Sequence, residues 1–312
     1  MAQQAVYKQL IPESFTRDEK GVLSILAYFD IFNYPISIGE IEQFRSSGID
    51  ARRIHSALDS LIHKKRVFRL GDFYSLQDNP LLAFRRKEGN ERARRFLQKA
   101  INVGRFLNRF PFVKAIGISG SLSKQYADED SDFDFFIITR ADRLWIARTF
   151  MHLYKKWAIL WGRGKFYCMN YYIDEKALLL QDQNLFSAIE LKTLIPVTGQ
   201  DTIDDFIASN DWVNRFLPYH KARRQDSAQE QGSVAKKMWE WILNHSIANW
   251  LDQYLYKLSS KRWKQKEIKQ KKNGKGEIMR LLNDKHFSKS NPGDFQEKVL
   301  RIYAEKLRTF EV

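Results

Sequence analysis

The chain has 312 residues, a formal net charge of +15, 44% hydrophobic and 14% aromatic residues, and only 15 Gly and 7 Pro. This balance excludes a fibrous or wholly disordered protein, and the length predicts two or three domains. The single cysteine, Cys168, excludes an intramolecular disulfide and a cysteine-based zinc site.

The excess positive charge favours anionic partners such as nucleotides or nucleic acid. A long apolar stretch, Leu144 to Trp161, is interrupted by Arg148, Lys155 and Lys156. Because charged side chains are costly in hydrocarbon, we expect no membrane insertion. No charged-then-apolar leader opens the sequence, and we therefore expect a cytoplasmic protein.

The N-terminal quarter shows the pattern of three short helices and a hairpin. Apolar residues recur at helical spacing from Val22 to Phe29. Ser37, with Glu40 three residues later, forms a capping-box pattern for a second helix, and Asp50 can cap a third. Two short β-prone runs then flank a turn at Gly71. This order resembles a winged helix-turn-helix domain.

In a nucleic-acid reader, the third helix would present its polar side chains to the DNA groove. The polar residues around this helix are Arg52, Arg53, His55, His63, Lys64 and Lys65. Winged helices also serve as protein-contact or substrate-positioning modules, so the resemblance leaves both roles open.

The rest of the chain begins with a long Arg-rich helical stretch. A strand, a glycine turn, a second strand, an amphipathic helix and a third strand follow in the pattern, and the remainder is mostly helical. We therefore predict an α+β multidomain fold. Its predicted parts are a winged-helix-like domain at 1–80, a connecting helix at 81–111, a small mixed α/β sheet domain at 112–177 and a helical C-terminal domain at 178–312.

A basic insert at 257–275 lies within the predicted helical domain and has Glu267 as its only acid. Two interpretations of this tract stay open: a solvated or disordered loop, and an arm that contacts phosphates. The second interpretation would make the partner a polyanion.

The chemistry of the chain is concentrated between the first two strands of the sheet domain. Asp132 and Asp134 are two residues apart on a β-prone run, so their side chains should project from one face of the strand. Two convergent carboxylates suit Mg²⁺. Upstream, Gly120 permits close approach of the backbone to a phosphate, and Ser121 adds a hydroxyl donor.

The combination of Gly120-Ser121, a gap of ten residues and Asp132-Phe133-Asp134 resembles the signature of the DNA polymerase beta nucleotidyltransferase superfamily. This resemblance implies that 112–177 is a minimal nucleotidyltransferase domain. It also implies that Gly120 and Ser121 bind the nucleotide triphosphate. Asp132 and Asp134 would bind the divalent metal, Mg²⁺ or Mn²⁺.

The superfamily usually supplies a third carboxylate from a later strand. In the corresponding run of this chain, the residue nearest the middle of the strand is Asn170, which can ligate a metal but cannot act as a base. Asp174 lies four residues later and, if the strand stays regular, on the same face. Both residues are therefore catalytic candidates.

The sequence thus predicts a Mg²⁺-dependent nucleotidyltransferase that transfers a nucleoside monophosphate from a nucleoside triphosphate to an unidentified acceptor, such as nucleic acid or another polyanion. We expect its active site in the cleft between the sheet domain and the helical domain. The alternative is a catalytically weak nucleotide-binding protein, or a DNA-binding regulatory protein.

Overall fold

The computed structural model describes residues 15–46, 48–224, 234–243, 246–272, 276–290 and 292–310. The fold is a mixture of helices and strands with two separate sheets. The chain forms two compact units, Met1–Ala83 together with Arg301–Val312, and Phe84–Leu300. No helix among the described residues is long and apolar enough to cross a membrane.

The first unit contains the predicted helices and hairpin. Its elements are α1 (Arg17–Asp30), β1 (Ile36–Ser37), α2 (Ile38–Phe44), α3 (Ile54–His63), β2 (Phe68–Leu70) and β3 (Phe73–Ser75). The capping box is confirmed, because Ser37 and Glu40 each accept a hydrogen bond from the other's backbone N–H. Asp50 caps a short 3₁₀ turn that leads into α3. β1 pairs with β3, which makes the hairpin part of a three-stranded sheet.

The second unit begins within the long predicted helix. Its elements are α4 (Pro80–Leu107), β4 (Val113–Ile118), α5 (Gly120–Ser123), β5 (Asp134–Thr139), α6 (Leu144–Leu160), β6 (Cys168–Asp174), α7 (Leu185–Thr193), β7 (Ile195–Thr198), α8 (Gln200–Ala208), α9 (Val234–Ile242), α10 (Ser246–Ile268), β8 (Leu281–Asn283), β9 (Phe287–Ser290) and α11 (Phe295–Thr309). Both α4 and α11 extend across the boundary of the units.

A six-stranded sheet in the order β7-β4-β5-β6-β9-β8 organises the second unit. β5 and β6 are parallel, with α6 as their crossover, and the other neighbours are antiparallel. Ile116, Phe135 and Trp145 are fully buried in the core of this unit. The first two strands and the crossover helix lie where the sequence pattern predicts them.

The predicted helical domain at 178–312 is not a separate body. β7 extends the sheet beside β4, and the β8–β9 hairpin extends it beside β6. These short strands pair backbone groups that would otherwise be exposed on the edges of β4 and β6. The end of α11, from Arg301 onward, belongs to the first unit.

Over most of its described length, the basic tract is a helix and not a loop. Lys257 to Ile268 continue α10, because Lys, Arg, Gln and Glu are good helix formers and no Gly or Pro interrupts this part. Lys272 forms an isolated bridge with Ile278. Residues 273–275 lie outside the described residues.

Candidate active site

The turn after β4 places Gly120 against the first acid of β5. Gly120 has φ of +67°, a conformation that side chains rarely adopt. A Cβ added at this position would lie 2.3 Å from Oδ2 of Asp134. The backbone N–H of Ser119 donates to the carbonyl of Asp134 at 2.9 Å, which fixes the turn beside the strand. Glycine is therefore favoured here both by the positive φ and by the close approach of the Asp134 carboxylate.

Asp132 and Asp134 line one cavity of about 700 Å³. Phe133, between them, is buried in the core, so the two acids share the opposite side of the chain. Both carboxylates are partly buried. Within the described part of the chain, Asp132 has neither a hydrogen-bond donor nor an ion-pair partner. Ser121 is exposed and lines the same cavity.

Asn170 lies beside the acid pair. Its Nδ2 donates to Oδ1 of Asp134 at 2.6 Å, and its Oδ1 accepts from the thiol of Cys168 at 3.2 Å. The register of β5 with β6 shifts between Phe135 and Phe136, and Asn170 is the extra residue. Such a β-bulge turns a side chain out of the regular alternation and is frequent near active sites. The predicted position of Asn170 near Asp134 is observed.

Asp174, the other candidate for the third acid, lies elsewhere. The bulge at Asn170 changes the parity of β6, and Asp174 pairs with Thr139 at the far end of β5 from Asp134. Its carboxylate is fully buried and accepts from the backbone N–H groups of Asp142 and Lys176, each at 2.9 Å. The expectation that Asp174 shares a strand face with the acid pair is therefore wrong.

Asp174 belongs instead to a cluster with Asp142 and His286, whose ligand atoms lie within 4.8 Å of one another. The Nδ1 of His286 lies 2.8 Å from Asp174. Lys176 at 2.5 Å and Lys285 at 2.7 Å from Asp142 hold the pKa of that carboxyl at about 2. Because the two lysines and the backbone N–H groups already stabilise both carboxylates, the cluster joins loops without needing a cation.

A third carboxylate near Asp134 comes from helix α7. Oε2 of Glu190 accepts from the N–H of Gly120 at 3.3 Å, and Oε1 lies 2.7 Å from Nζ of Lys124. Lys124 also donates to the carbonyl of Gly120 at 3.0 Å. Glu190 is 70 residues from Gly120 in the chain, so no local spacing in the sequence could indicate it.

The acidic cluster is Asp132, Asp134 and Glu190. Burial, together with the negative charges of Asp132 and Glu190, raises the pKa of Asp134 to about 7, while Lys124 opposes the shift. Burial together with Asp134 also raises the pKa of the Cys168 thiol to about 12, so this cysteine stays protonated. Concentrated negative charge of this kind is relieved by a proton or by a cation.

A second, mostly apolar cavity of about 210 Å³ adjoins the first, and both are lined by Asp134 and Asn170. Its walls include Phe136, Tyr171, Leu180, Phe186, Leu191 and Phe206. A ligand with a charged part and an apolar part could therefore meet the acid pair and the aromatic wall at once. Comparisons of the chain with protein-family models, curated proteins and solved structures gave no match.

Proposed function

We propose that the chain is a Mg²⁺-dependent nucleotidyltransferase, which transfers a nucleoside monophosphate from a nucleoside triphosphate to an acceptor and releases pyrophosphate. The observation that carries this proposal is the placement of Asp132 and Asp134 in one cavity, directly against the Gly120 turn. The Gly-Ser and Asp-x-Asp signature supplies the resemblance, and the geometry is compatible with it.

The donor set fits a hard divalent cation. Asp132 and Asp134 offer carboxylate oxygens, which Mg²⁺ and Mn²⁺ prefer, and Asp132 has its oxygens free of protein donors within the described residues. A metal ion bound there would neutralise charge on the phosphates during transfer. The raised pKa of Asp134 supports this fit, because a cation would replace the proton that its neighbours favour.

The protein groups have distinct roles in this proposal. Ser121 donates its hydroxyl to a phosphate oxygen, and the Asn170 amide holds the carboxylate of Asp134 in one orientation. The third acid that the resemblance implies is replaced by Asn170 on the strand, and Glu190 is the remaining carboxylate beside Asp134. We assign Glu190 as the group that accepts the proton of the attacking hydroxyl.

Replacing Asp132 tests the transfer reaction directly. We expect Asp132→Asn to lower Mg²⁺-dependent turnover by roughly a hundredfold or more, because one member of the metal pair is lost. Turnover is measured as pyrophosphate release and as labelled product, from each α-labelled triphosphate with Mg²⁺ and cell extract as the source of acceptor.

Asp130→Asn is the matched control, because Asp130 is exposed and lies on the same loop. It should leave turnover within about twofold of the wild type, as is usual for surface changes. Equal turnover in the Asp132 variant and the wild type would contradict the proposal. Since Asp132 has no protein partner among the described residues, unfolding should not confuse the result.

A nucleotide-binding protein with weak or lost transfer is the second candidate, and Asn170 is the observation that favours it, since an amide stands where the resemblance implies an acid. The same assay separates the two functions. Triphosphate binding without pyrophosphate release in the wild type would select the binding protein.

We also propose that the first unit is a winged helix. Three of its predicted groove-facing cations are already paired with acids: Arg52 with Asp50 at 3.1 Å, Arg53 with Asp18 at 3.7 Å and Lys64 with Glu19 at 2.8 Å. These pairs reduce the positive potential that phosphate binding requires. They favour a role of the first unit in contacts other than DNA reading.

A further inference from the structure

A strongly basic cavity of about 460 Å³ lies between helices α6 and α10. We call it the basic pocket. Six of its lining residues are Arg or Lys and none is Asp or Glu. The six are Arg148 and Lys156 from α6, Arg262 and Lys266 from α10, and Lys269 and Lys271 after α10. The basic tract therefore forms only one wall, and the crossover helix of the sheet forms the other.

The cations of the basic pocket have no acidic partner in the part of the chain that the structure describes. Glu267, the acid nearest in sequence, pairs with Arg280 at 3.0 Å. Burial lowers the pKa of the Lys266 ammonium, and repulsion from Lys271, Lys156 and Arg148 lowers it further. The pocket thus concentrates positive charge that the protein itself leaves uncompensated.

Arg148 is the deepest of these cations, with only 6% of the residue exposed. Its guanidinium lies over the rings of Trp145 and Tyr172, 5.2 and 5.9 Å from their centroids. Its Nε is buried and has no hydrogen-bond partner. Leaving a buried donor of a charged group unsatisfied is costly, and an anion bound in the pocket would reduce this cost.

The basic pocket opens toward the acidic cluster. Arg148, His152 and Trp263 line both the basic pocket and the cavity that holds Asp132. Nζ of Lys266 lies 4.2 Å from the centroid of the Trp263 ring, so an aromatic face and a cation stand together at the junction. Burial and the surrounding cations lower the pKa of His152 well below its usual range, which keeps that imidazole neutral.

We propose that the basic pocket binds clustered phosphate groups, and that these phosphates belong to the acceptor of the transfer reaction. The first part stands on the pocket alone, and the second rests on the proposed function. Arg148 and Arg262 offer forked donors that match phosphate oxygens, and the lysines supply further charge. The acceptor is then an oligonucleotide strand or a small polyphosphorylated molecule, held with its nucleophile near Asp132.

The test compares two double variants of the same helix. Arg262→Gln with Lys266→Gln removes two cations that line the pocket, whereas Lys261→Gln with Lys264→Gln removes two exposed cations of α10 that do not. Inorganic tripolyphosphate and a single-stranded oligonucleotide are titrated by calorimetry into each protein, without Mg²⁺ or nucleotide. A third titration uses ATP with Mg²⁺.

We expect the pocket variant to bind tripolyphosphate or the oligonucleotide at least roughly tenfold more weakly, and the control to stay within about twofold at the same salt. If the source is a strand, the salt dependence of oligonucleotide binding should also fall, by a slope of about 1.4 for two lost contacts. If it is a small molecule, only tripolyphosphate should discriminate between the variants.

Three results would overturn the proposal. In the first, wild-type protein binds neither probe at low salt. In the second, the two double variants lose equal affinity, so that charge alone and not the pocket matters. In the third, the pocket variant loses affinity for ATP with Mg²⁺ as strongly as for the other probes, which would make the basic pocket part of the nucleotide site. Failure of transfer in the Asp132 assay leaves these metal-free titrations unchanged, so the two proposals fail separately.

Discussion

An acidic cluster and a basic pocket lie side by side in the second unit, and the fold compensates their charges to different degrees. In the acidic cluster, Lys124 lies 2.7 Å from Glu190 and the Asn170 amide lies 2.6 Å from Asp134. In the basic pocket, no described carboxylate forms an ion pair with the lining cations, and the Nε of Arg148 has no hydrogen-bond partner. One cluster is partly compensated by the fold, and the other is not.

The difference follows from the side chains. A carboxylate such as Asp134 can take up a proton when its neighbours are negative, and its raised pKa of about 7 shows this response. An arginine cannot release its proton near neutral pH, so Arg148 keeps its charge. The acidic cluster therefore requires a cation only above the pKa of Asp134. The basic pocket favours an anion at every ordinary pH.

Substitution of Gly120 should disrupt the acidic cluster most severely. In Gly120→Ala, the added Cβ would lie 2.3 Å from Oδ2 of Asp134, in addition to the strain of φ at +67°. We expect overpacking to cost roughly 1–3 kcal/mol beyond that strain. Displacing the carboxylate should lower Mg²⁺-dependent turnover by about a hundredfold. Thermal unfolding and pyrophosphate release measure the two effects.

Gly162→Ala is the matched control for that variant. Gly162 has φ of +69°, and nothing lies within 4 Å of an added Cβ. It should therefore show only the left-handed strain of about 1–2 kcal/mol and ordinary turnover. Equal stability and activity of the two variants would mean that the close approach of Gly120 to Asp134 is not required.

The acidic cluster also shows how much of the site can be predicted from local sequence. β4, β5 and α6 follow from apolar periodicity, and Gly120, Ser121, Asp132 and Asp134 lie within one short segment, so their proximity could be predicted. The bulge at Asn170 leaves no sign in the sequence, and parity therefore misplaced Asp174. Glu190 could not be predicted, because a helix far along the chain brings it to the site.

The basic pocket shows the same division. The charge of the tract after Lys257 is visible in the sequence, but its helical form and its partner helix are not. In the sequence, Arg148 is visible only as a charge that interrupts an apolar stretch. Its contact with Trp145 and Tyr172, and its place opposite Arg262, depend on the packing of α6 against α10. The sequence pattern does not predict the strands β7 and β9, because runs of four residues form strands only through tertiary contacts.

A pH titration sharpens the response of the acidic cluster. Metal affinity should rise as pH increases through about 7, because a proton competes with the cation for Asp134. Glu190→Gln removes one negative neighbour and should move this midpoint to lower pH. Glu129→Gln removes an acid whose side chain is 86% exposed and should leave the midpoint unchanged. Calorimetric titration of Mn²⁺ across the pH range gives the midpoints.

The same proton has a consequence for stability in the absence of metal. Asp134 binds its proton more tightly in the folded chain, where its pKa is about 7, than in the unfolded chain, where an ordinary Asp has a pKa of about 3.9. The stabilisation of the folded state by this protonation is therefore complete at low pH and is lost as pH rises through about 7. With a chelator present, wild-type protein should lose stability relative to Asp134→Asn between these values. A constant difference in chemical denaturation would contradict the raised pKa.

The smallest expected effect tests whether Arg148 serves ligand binding or the stability of the fold. Arg148→Met removes a buried charge that has an unsatisfied Nε, and the methionine can still pack on Trp145, so we expect the free energy of unfolding to stay equal or to rise by about 1 kcal/mol. Lys192→Met is the control, because buried Lys192 donates to Asn214 at 2.7 Å, and its loss should destabilise by about 1 kcal/mol. Added tripolyphosphate should then raise the melting temperature of the wild type above that of Arg148→Met, since a ligand stabilises most the protein that binds it most tightly. Arg148→Met could instead melt well below the wild type without tripolyphosphate, with a difference that does not widen when tripolyphosphate is added. Arg148 would then support packing and would not contact phosphate in the basic pocket.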